Sequence, residues 1–238
     1  MTYIFLIAGK GTRLHPLTLT YPKTLYKLDE NTTVLERMVS LIQKYDPDAR
    51  IVAVTGFLHK KIEAMIHGVT FLHNPFYAVT NSIASLWFAR DYLKDDSVVL
   101  INGDIVMSED LIRDVLCKEP DRPTVLIDTS IKKDGDYNVQ VEGDRVVVMS
   151  KGLEEYCGEY AGIALLDKGS LNEYLGELEE MIEEGLYDQW YEDVLVQMIF
   201  KRNFALYYQD VSDYLWTEID CVSDLLLAKK IQKDAQHR

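Results

Sequence analysis

The sequence predicts an α/β fold, a doubly wound and mostly parallel mixed sheet with helices on both faces. Two observations predict it. Apolar runs of strand length alternate with amphipathic segments of helix length over residues 1–130, and the first apolar run leads directly into a glycine-rich loop. The chain has 238 residues, of which 47% are hydrophobic, so it can bury one sizeable core as a single domain.

The first half of the chain alternates strands and helices in strict order. Thr33 and Glu36 have the spacing of a capping box, which marks the start of the first helix. The predicted strands are residues 3–8, 51–55, 69–72, 97–101 and 124–128, and the predicted helices are residues 33–44, 59–66, 82–93 and 108–116.

After residue 130 the order of elements changes. Two segments of strand length flank Glu142-Gly143-Asp144, which predicts a hairpin. We therefore expect the second half to continue the same sheet and to add a small lobe. The predicted strands are residues 137–141, 145–149, 160–166 and 205–208, and the predicted helices are residues 171–184, 190–201 and 222–236.

Charge and composition exclude several classes of protein. The formal net charge of −14 argues against nucleic acid or an anionic membrane as a partner, because both require a basic surface. No apolar run approaches the ~18 residues that span a bilayer, and the N-terminus has no signal-peptide pattern, so we expect a cytoplasmic protein. The three cysteines and the five histidines, of which His237 is the last, show no spacing typical of a metal site or a disulfide framework.

The loop after the first strand, which reads A-G-K-G-T-R-L over residues 8–14, has features of a phosphate-binding site. Gly9 and Gly11 lack a Cβ, so the backbone can turn sharply and its N–H groups can converge on phosphate oxygens. Arg13 offers a planar fork of donors that suits a phosphate group, and Lys23 adds a mobile positive charge. Gly-x-Gly alone is also common in ordinary strand-to-helix turns, but the two added cations favour a nucleoside triphosphate site.

Two better-known glycine motifs do not fit this loop. The dinucleotide fingerprint requires Gly or Ala where Leu14 stands, and an acidic residue where the second strand ends in Thr55-Gly56. The P-loop requires Gly-Lys-Ser/Thr four residues after its first glycine, a spacing that residues 9–12 lack. The predicted phosphate site is therefore of another type.

Carboxylates at two places are candidates for the divalent ion that a triphosphate requires. Asp104 directly follows a buried strand, and Glu218 and Asp220 would share a face if residues 216–220 formed a strand. Magnesium usually takes only one or two carboxylates from the protein. Asp104 can also be a plain turn residue, and Asp220 can be the N-cap of the last helix.

Two further segments carry candidate binding residues. Asn81 and Ser85 lie at the start of a predicted helix, where small polar side chains can hydrogen-bond a base or ribose, or cap the helix. Residues 187–193, Y-D-Q-W-Y-E-D, can hold a cationic amine through ring faces and carboxylates, and Glu159 and Tyr160 add to this set. The alternative is the start of an amphipathic helix with its aromatic residues in the core.

Residues 6–25, L-I-A-G-K-G-T-R-L-H-P-L-T-L-T-Y-P-K-T-L, resemble the signature of the nucleotidyltransferases that make NDP-sugars and CDP-alcohols, L-A-A-G-x-G-x-R-L-x-P-L-T-x-x-x-P-K-x-L. Only Ile7 departs clearly from the signature, which has a small residue there. The resemblance implies a Rossmann-like sheet with a nucleotide-binding half, residues 1–130, and an acceptor-binding half, residues 131–238. It also implies nucleotide binding by Ala8, Gly9, Gly11 and Thr12, catalysis by Arg13 and Lys23, and Mg²⁺ binding by Asp104 and Asp220.

Residues 81–86 resemble the N-x-x-x-S-L segment of phosphocholine and 2-aminoethylphosphonate cytidylyltransferases. This resemblance implies that Asn81 and Ser85 lie beside the base. The phosphocholine enzymes also carry a similar Tyr/Trp/Asp cluster at the point where this chain has residues 187–193. That likeness implies an acceptor pocket for an amine, formed by Glu159, Tyr160, Trp190, Tyr191 and Asp193.

We therefore expect a cytidylyltransferase that transfers CMP from CTP to a small amine-bearing phosphate or phosphonate and releases pyrophosphate. Phosphocholine, phosphoethanolamine and 2-aminoethylphosphonate are the expected acceptors. The alternatives are a sugar-1-phosphate nucleotidyltransferase and, in another class, a non-catalytic regulator that binds nucleotide. The expected partners are CTP and the acceptor, with no nucleic acid and no membrane, while the oligomeric state, including a homodimer, stays open.

Overall fold

The computed structural model describes residues 1–94, 96–131 and 137–236, so that His237 lies outside the described ranges. The strands are β1 (Thr2–Ile7), β2 (Arg50–Thr55), β3 (Thr70–His73), β4 (Val98–Asn102), β5 (Ile105–Met107), β6 (Thr124–Asp128), β7 (Asn138–Glu142), β8 (Arg145–Ser150), β9 (Gly158–Leu166), β10 (Tyr207–Asp210) and β11 (Trp216–Glu218). The helices are α1 (Val34–Tyr45), α2 (His59–Met65), α3 (Ser82–Phe88), α4 (Glu109–Leu111), α5 (Leu171–Glu183), α6 (Glu192–Arg202) and α7 (Val222–Gln236). In these ranges, none of the helices combines the length and the apolar character needed to cross a bilayer.

Within the described residues, nine of the strands form one mixed sheet in the order β3-β2-β1-β4-β9-β6-β10-β8-β7. β1 runs parallel to β2 and β4, and β6 runs parallel to β10. β9 runs antiparallel to both β4 and β6, so it joins the two parallel parts of the sheet. This arrangement confirms the predicted α/β fold with a mixed sheet. The sheet is not mostly parallel, because four of the eight neighbouring strand pairs in this order are antiparallel.

The helices cover both faces of this sheet, because successive side chains of a strand point to opposite faces. Ile4 and Val52 belong to a core that includes side chains of α3, α5 and α6. Phe5 and Ala53, each one residue further along, belong to a second core that includes side chains of α1 and α2. β1 and β2 are apolar at successive positions because both faces of these strands are buried.

Most predicted elements begin and end within about two residues of their observed bounds. The capping box is confirmed, since the Thr33 N–H donates to Glu36 Oε2 at 2.8 Å and the Glu36 N–H donates to Thr33 Oγ1 at 3.3 Å. The helix predicted over 82–93 is shorter, because the Ala89 N–H bonds the Leu86 carbonyl at 2.8 Å and tightens the chain into a 3-10 turn. The helix predicted over 108–116 is replaced by the short α4 and a π-turn.

An antiparallel ribbon of β5 and β11 lies beside the sheet and carries site residues. The sequence does not predict β5, because three residues directly after a turn are too few to show the alternation of apolar and polar residues that marks a strand. β11 ends at Glu218, which pairs with Ile105, so Asp220 lies beyond the strand that was expected to contain it. The Ile219 N–H then donates to the Asp104 carbonyl at 3.0 Å. The ribbon therefore brings the segment around Asp220 next to Asp104.

Ile7, the departure from the family signature, packs against Gly103. Its side chain is 5% exposed and belongs to the core on the α1 side of the sheet. A Cβ on Gly103 would lie 2.0 Å from Ile7 Cγ2 and 3.0 Å from the Leu6 carbonyl oxygen. The turn after β4 therefore accommodates Ile7 because Gly103 has no side chain.

Gly103→Ala is expected to lower the free energy of unfolding by about 1–3 kcal/mol, because the new methyl group overpacks this contact. Adding Ile7→Ala removes the closest clash, so the double variant should lose less stability than the sum of the two single variants. Urea unfolding of the four proteins measures this coupling. Gly176→Ala is the control, since a Cβ there meets nothing within 4 Å. Strictly additive losses would contradict the proposed fit between Gly103 and Ile7.

Candidate active site

A cavity of about 350 Å³ opens where β1 and β4 end. Ligands of open α/β sheets bind at the carboxyl ends of the strands, and the volume lies in the usual range for small-molecule sites. Three walls border the cavity: a loop wall (residues 8–9, residues 11–13 and Lys23), an α3 wall (Tyr77, Thr80, Asn81, Ser82 and Ser85) and an aromatic wall (Tyr137, Tyr160 and Trp190). We treat this cavity as the candidate active site.

The loop wall contains every nucleotide-binding residue that the signature implies for this segment. Ala8, Gly9, Gly11 and Thr12 all line the cavity, together with Arg13 and Lys23. Gly11 has a φ of +62°, and a Cβ there would lie 2.9 Å from Lys23 Cγ, so backbone conformation and space both require glycine. The Thr18 hydroxyl donates to the Gly11 carbonyl at 2.7 Å and holds the turn.

The catalytic and metal-binding candidates meet in one group of charges beside the loop wall. Lys23 Nζ lies 3.0 Å from Asp104 Oδ2 and 2.7 Å from Asp220 Oδ1, and an Arg13 guanidinium nitrogen lies 2.7 Å from Asp220 Oδ2. Burial raises the pKa of the Asp220 carboxyl, and Lys23 opposes that shift. Burial would lower the pKa of Lys23, but the two carboxylates outweigh it and the pKa is raised. We call these four residues the charge cluster.

The donor set at the charge cluster suits a divalent cation. Carboxylate oxygens of Asp104, Glu218 and Asp220 all lie within 4.8 Å of one another. Hard cations such as Mg²⁺ prefer oxygen ligands of this kind. Asp220 is not the N-cap of α7, because the helix begins two residues later, at Val222, and both carboxylate oxygens of Asp220 contact Arg13 and Lys23. The Asp220 side chain is thus directed to the charge cluster.

The α3 wall contains both residues that were expected beside the base. Asn81 has two functions that do not exclude each other: it lines the cavity, and its Oδ1 accepts from the Ser82 N–H at 2.9 Å at the start of α3. The Asn81 side-chain amide also donates to the Asp188 carbonyl at 3.3 Å, which ties α3 to the segment before α6. Ser85 is 3% exposed and lines the deeper part of this wall.

The aromatic wall brings together three rings that are distant in sequence. The Tyr137 and Trp190 ring centroids lie 5.6 Å apart, and those of Tyr137 and Tyr160 lie 6.4 Å apart, both in edge-to-face geometry. Lys151 Nζ lies 3.9 Å from the Trp190 ring centroid, so a cation of the protein already contacts one ring face. Tyr137 and Lys151 are site residues that sequence reasoning missed, because the hairpin β7–β8 delivers them.

Glu192 is a buried carboxyl in the floor of the aromatic wall. It lines the cavity, and the Asn102 side-chain amide donates to its Oε1 at 3.4 Å. Burial raises the pKa of the Glu192 carboxyl to about 7. Sequence reasoning missed this residue although it lies between two candidates, because an acid in the first turn of a helix is ordinarily solvated.

Three residues predicted for the acceptor pocket do not line the cavity. Tyr191 is fully buried in the core, where its hydroxyl lies 2.7 Å from the Tyr160 hydroxyl. Asp193 lies behind the wall and accepts from the Tyr137 hydroxyl at 2.6 Å and from the Trp190 backbone N–H at 2.9 Å. Glu159 precedes Tyr160 in β9 and therefore points to the other face of the strand. Of the predicted set, Tyr160 and Trp190 reach the cavity.

Comparison with known proteins assigns the family. The nucleotidyl transferase family matches residues 2–134, more than half of the chain, so the chain belongs to this family. A 2-aminoethylphosphonate cytidylyltransferase of Lancefieldella rimae is 30% identical over 112 residues, which cover 46% of this chain and 45% of that protein. A choline-phosphate cytidylyltransferase of Streptococcus pneumoniae is 24% identical over 239 residues, which cover 98% of this chain and 99% of that protein. The chain spans about half the length of the first two curated relatives it matches.

Solved structures agree with the fold. The CTP:phosphocholine cytidylyltransferase from Streptococcus pneumoniae has a TM-score of 0.77 at 20% identity and covers 97% of this chain and 98% of its own. A UDP-glucose pyrophosphorylase complexed with UDP-glucose has a TM-score of 0.73 at 12% identity and covers 98% of both chains. Enzymes of this fold thus include both cytidylyltransferases and sugar-nucleotide enzymes.

Lys23→Ala is expected to raise the affinity for Mg²⁺ in the absence of nucleotide by about tenfold or more, because it removes the cation between Asp104 and Asp220. Isothermal titration with Mg²⁺, or the metal-induced shift in melting temperature, measures the effect. Asp104→Asn should remove most of the response. Lys94→Ala is the control, since it deletes the same charge from an exposed ion pair with Asp91. If Lys23→Ala binds Mg²⁺ no more tightly than the unmodified chain, Lys23 and the metal do not compete for the carboxylates.

Glu192→Gln is expected to change how stability depends on pH. The folded protein holds the Glu192 proton more tightly than the unfolded chain, since burial raises the pKa from 4.5 to about 7. The unmodified protein should therefore lose stability as pH rises from about 5 to 7, by up to about 3 kcal/mol relative to the variant. Urea unfolding at several pH values tests this, with the exposed Glu142→Gln as control. Parallel pH profiles for Glu192→Gln and the unmodified protein would contradict it.

Proposed function

We propose that this chain is a cytidylyltransferase that transfers CMP from CTP to a small amine-bearing phosphate or phosphonate. The observation that carries the proposal is that one cavity joins the loop wall and the charge cluster to the aromatic wall with its buried Glu192. Phosphate binding and amine binding require these two kinds of surface. The likeness to choline-phosphate and 2-aminoethylphosphonate cytidylyltransferases supports the same acceptor class.

In the proposed reaction a phosphate or phosphonate oxygen of the acceptor attacks the α-phosphorus of CTP in line. A bond forms between this oxygen and the α-phosphorus, while the bond from the α-phosphorus to the oxygen that bridges to the β-phosphorus breaks. Pyrophosphate leaves with the electron pair of that bond. The acceptor oxygen is already ionised near neutral pH, because phosphate monoesters have a second pKa of about 6, so the reaction needs no general base.

The residues of the chain act by positioning and by charge. The amide groups of residues 9–12 and the guanidinium of Arg13 are placed at one wall, where they suit the β- and γ-phosphates. The Lys23 ammonium, which lines the cavity and contacts the Asp104 and Asp220 carboxylates, suits the α-phosphate and the acceptor phosphate. Asp104 and Asp220, with Glu218 beside them, would hold Mg²⁺, which when bound neutralises charge on the leaving pyrophosphate.

The aromatic wall supplies the acceptor pocket in this proposal. An ammonium group in the cavity can contact the parts of the Tyr137, Tyr160 and Trp190 rings that line it and lie near the Glu192 carboxylate, although Lys151 already lies over the Trp190 ring. Asp193 holds the Tyr137 hydroxyl and the Trp190 backbone from behind, so the Tyr137 ring and the chain that carries Trp190 are positioned before a ligand enters. Such preorganisation lowers the cost of binding.

A sugar-1-phosphate nucleotidyltransferase is the second candidate, and the position of Lys151 favours it. Its ammonium lies over the Trp190 ring, so an acceptor amine would have to displace or share that face. A neutral, hydroxylated acceptor would meet no like charge there. The UDP-glucose pyrophosphorylase with a similar fold shows that this architecture occurs among sugar-nucleotide enzymes.

Pyrophosphate release with Mg²⁺ tests the proposal directly. CTP, UTP, dTTP, ATP and GTP are each combined with phosphocholine, phosphoethanolamine, 2-aminoethylphosphonate and glucose-1-phosphate. We expect turnover with CTP and at least one amine-bearing acceptor. Turnover with glucose-1-phosphate alone would establish the second candidate. Nucleotide binding without turnover for any pair would instead support a non-catalytic regulator.

Trp190→Ala is expected to lower kcat/KM for the amine-bearing acceptor by about tenfold or more, because it removes one ring face of the pocket. The Kd for CTP, measured by titration without acceptor, should stay within about twofold. Phe200→Ala is the matched control, since Phe200 is an exposed aromatic residue of α6. Lys151→Met should lower the KM for the amine if both cations use the Trp190 face. Full activity of Trp190→Ala would exclude Trp190 from the acceptor site.

A further inference from the structure

Asn74 is fully buried behind the α3 wall and does not line the cavity. Its side-chain oxygen accepts from the Phe76 N–H at 2.9 Å. A backbone N–H can only donate, so this contact identifies which end of the amide is the oxygen. The amide nitrogen therefore faces the other way and donates to Ser85 Oγ at 3.0 Å and to Thr80 Oγ1 at 3.2 Å. Both amide hydrogens are used.

The Asn74 amide determines what the Ser85 hydroxyl can offer. An Asn NH₂ group can only donate, so Ser85 Oγ is an acceptor in this contact and its own hydrogen must point elsewhere. Within the described part of the chain, no oxygen accepts that hydrogen. Thr80 differs, because its hydroxyl donates to the Phe76 carbonyl at 2.9 Å. Ser85 thus presents a hydrogen-bond donor to the cavity that it lines.

A fixed donor distinguishes cytosine from uracil and thymine at N3. Cytosine has a lone pair at N3, whereas uracil and thymine carry an N–H there and need an acceptor opposite it. The loop wall and the charge cluster take the phosphates, and the aromatic wall takes the acceptor, so the α3 wall is the surface left for the base. We propose that Asn74 holds the Ser85 hydroxyl as a donor toward N3 of the base and thereby selects cytosine over uracil. This inference rests on the proposed function and adds the residue that positions the base-reading group.

The proposal makes Asn74 a positioning residue whose effect can be reversed. In Asn74→Asp the nitrogen becomes a carboxylate oxygen, which accepts from Ser85 instead of donating to it. The Ser85 hydrogen then points to the carboxylate, and its oxygen presents an acceptor to the cavity. The existing Phe76 N–H contact is compatible with either side chain, since an oxygen stays in that place. An acceptor opposite N3 suits uracil.

The experiment measures kcat/KM for CTP and UTP with the best acceptor, and the Kd of both nucleotides without acceptor. Asn74→Asp is expected to lower the CTP/UTP ratio by about tenfold or more, since it exchanges a matched for a mismatched hydrogen bond. Ser85→Ala should lower the affinity for CTP by about fivefold and change that for UTP little, because only CTP loses a bond. Asn203→Asp, which adds the same charge at the exposed end of α6, should leave the ratio unchanged.

The outcomes separate this inference from the proposed function. No turnover of the unmodified protein with CTP and any amine-bearing acceptor would overturn the proposed function. Turnover with CTP, but an unchanged CTP/UTP ratio in both Asn74→Asp and Ser85→Ala, would overturn the inference alone. Equal losses for both nucleotides would also overturn it, because they would place Ser85 opposite O2, which the two bases share. Melting temperatures of the variants show whether each variant folds. If Asn74→Asp does not fold, the CTP and UTP affinities of Ser85→Ala still decide the test.

Discussion

The charge cluster is the interaction on which the geometry of the site depends. Lys23 bonds carboxylates that lie 81 and 197 residues away in sequence, so it joins the loop after β1, the turn after β4 and the segment before α7. Two carboxylates this close repel each other, and Lys23 and Arg13 offset that repulsion. The same cations suit phosphate groups, and the same carboxylates suit a divalent ion. In the free protein, the carboxylates therefore contact the cations that phosphate groups would bind, and the cations contact the carboxylates that a divalent ion would bind.

Polar residues in the cavity wall and behind it orient the residues that line the cavity. Asp193, behind the wall, accepts from the Tyr137 hydroxyl and the Trp190 backbone N–H, and Asn102, which lines the cavity, donates to Glu192. Because Asp193 and Asn102 each lie at the end of a helix or strand, the orientation of the walls follows from the fold rather than from the ligand. Preorganisation of this kind is what a reaction driven by positioning requires, since it avoids an ordering cost during catalysis.

The sequence predicts the loop wall well and the aromatic wall poorly, for a physical reason. Residues 8–13 are held by the local conformation of one loop, and their function can be inferred from residue types and spacing. The aromatic wall depends on the register of β7, β8 and β9 and on where α6 begins. α6 begins at Glu192, two residues later than predicted, and neighbouring helical residues differ in direction by about 100°. Tyr191 therefore enters the core while Glu192 reaches the cavity, a difference that composition cannot reveal.

Glu192 links the charge of the acceptor to the protonation of the pocket. At the aromatic wall, Lys151 is a cation, and the Glu192 carboxyl has a pKa raised to about 7. An incoming ammonium favours the ionised carboxylate, and by reciprocity ionisation favours the ammonium, so amine binding and proton release are coupled. A neutral sugar hydroxyl has no such coupling and can accept a hydrogen bond from the protonated acid. An ammonium therefore favours the ionised form of Glu192, whereas a hydroxyl can bond either form, and burial keeps both forms accessible near neutral pH.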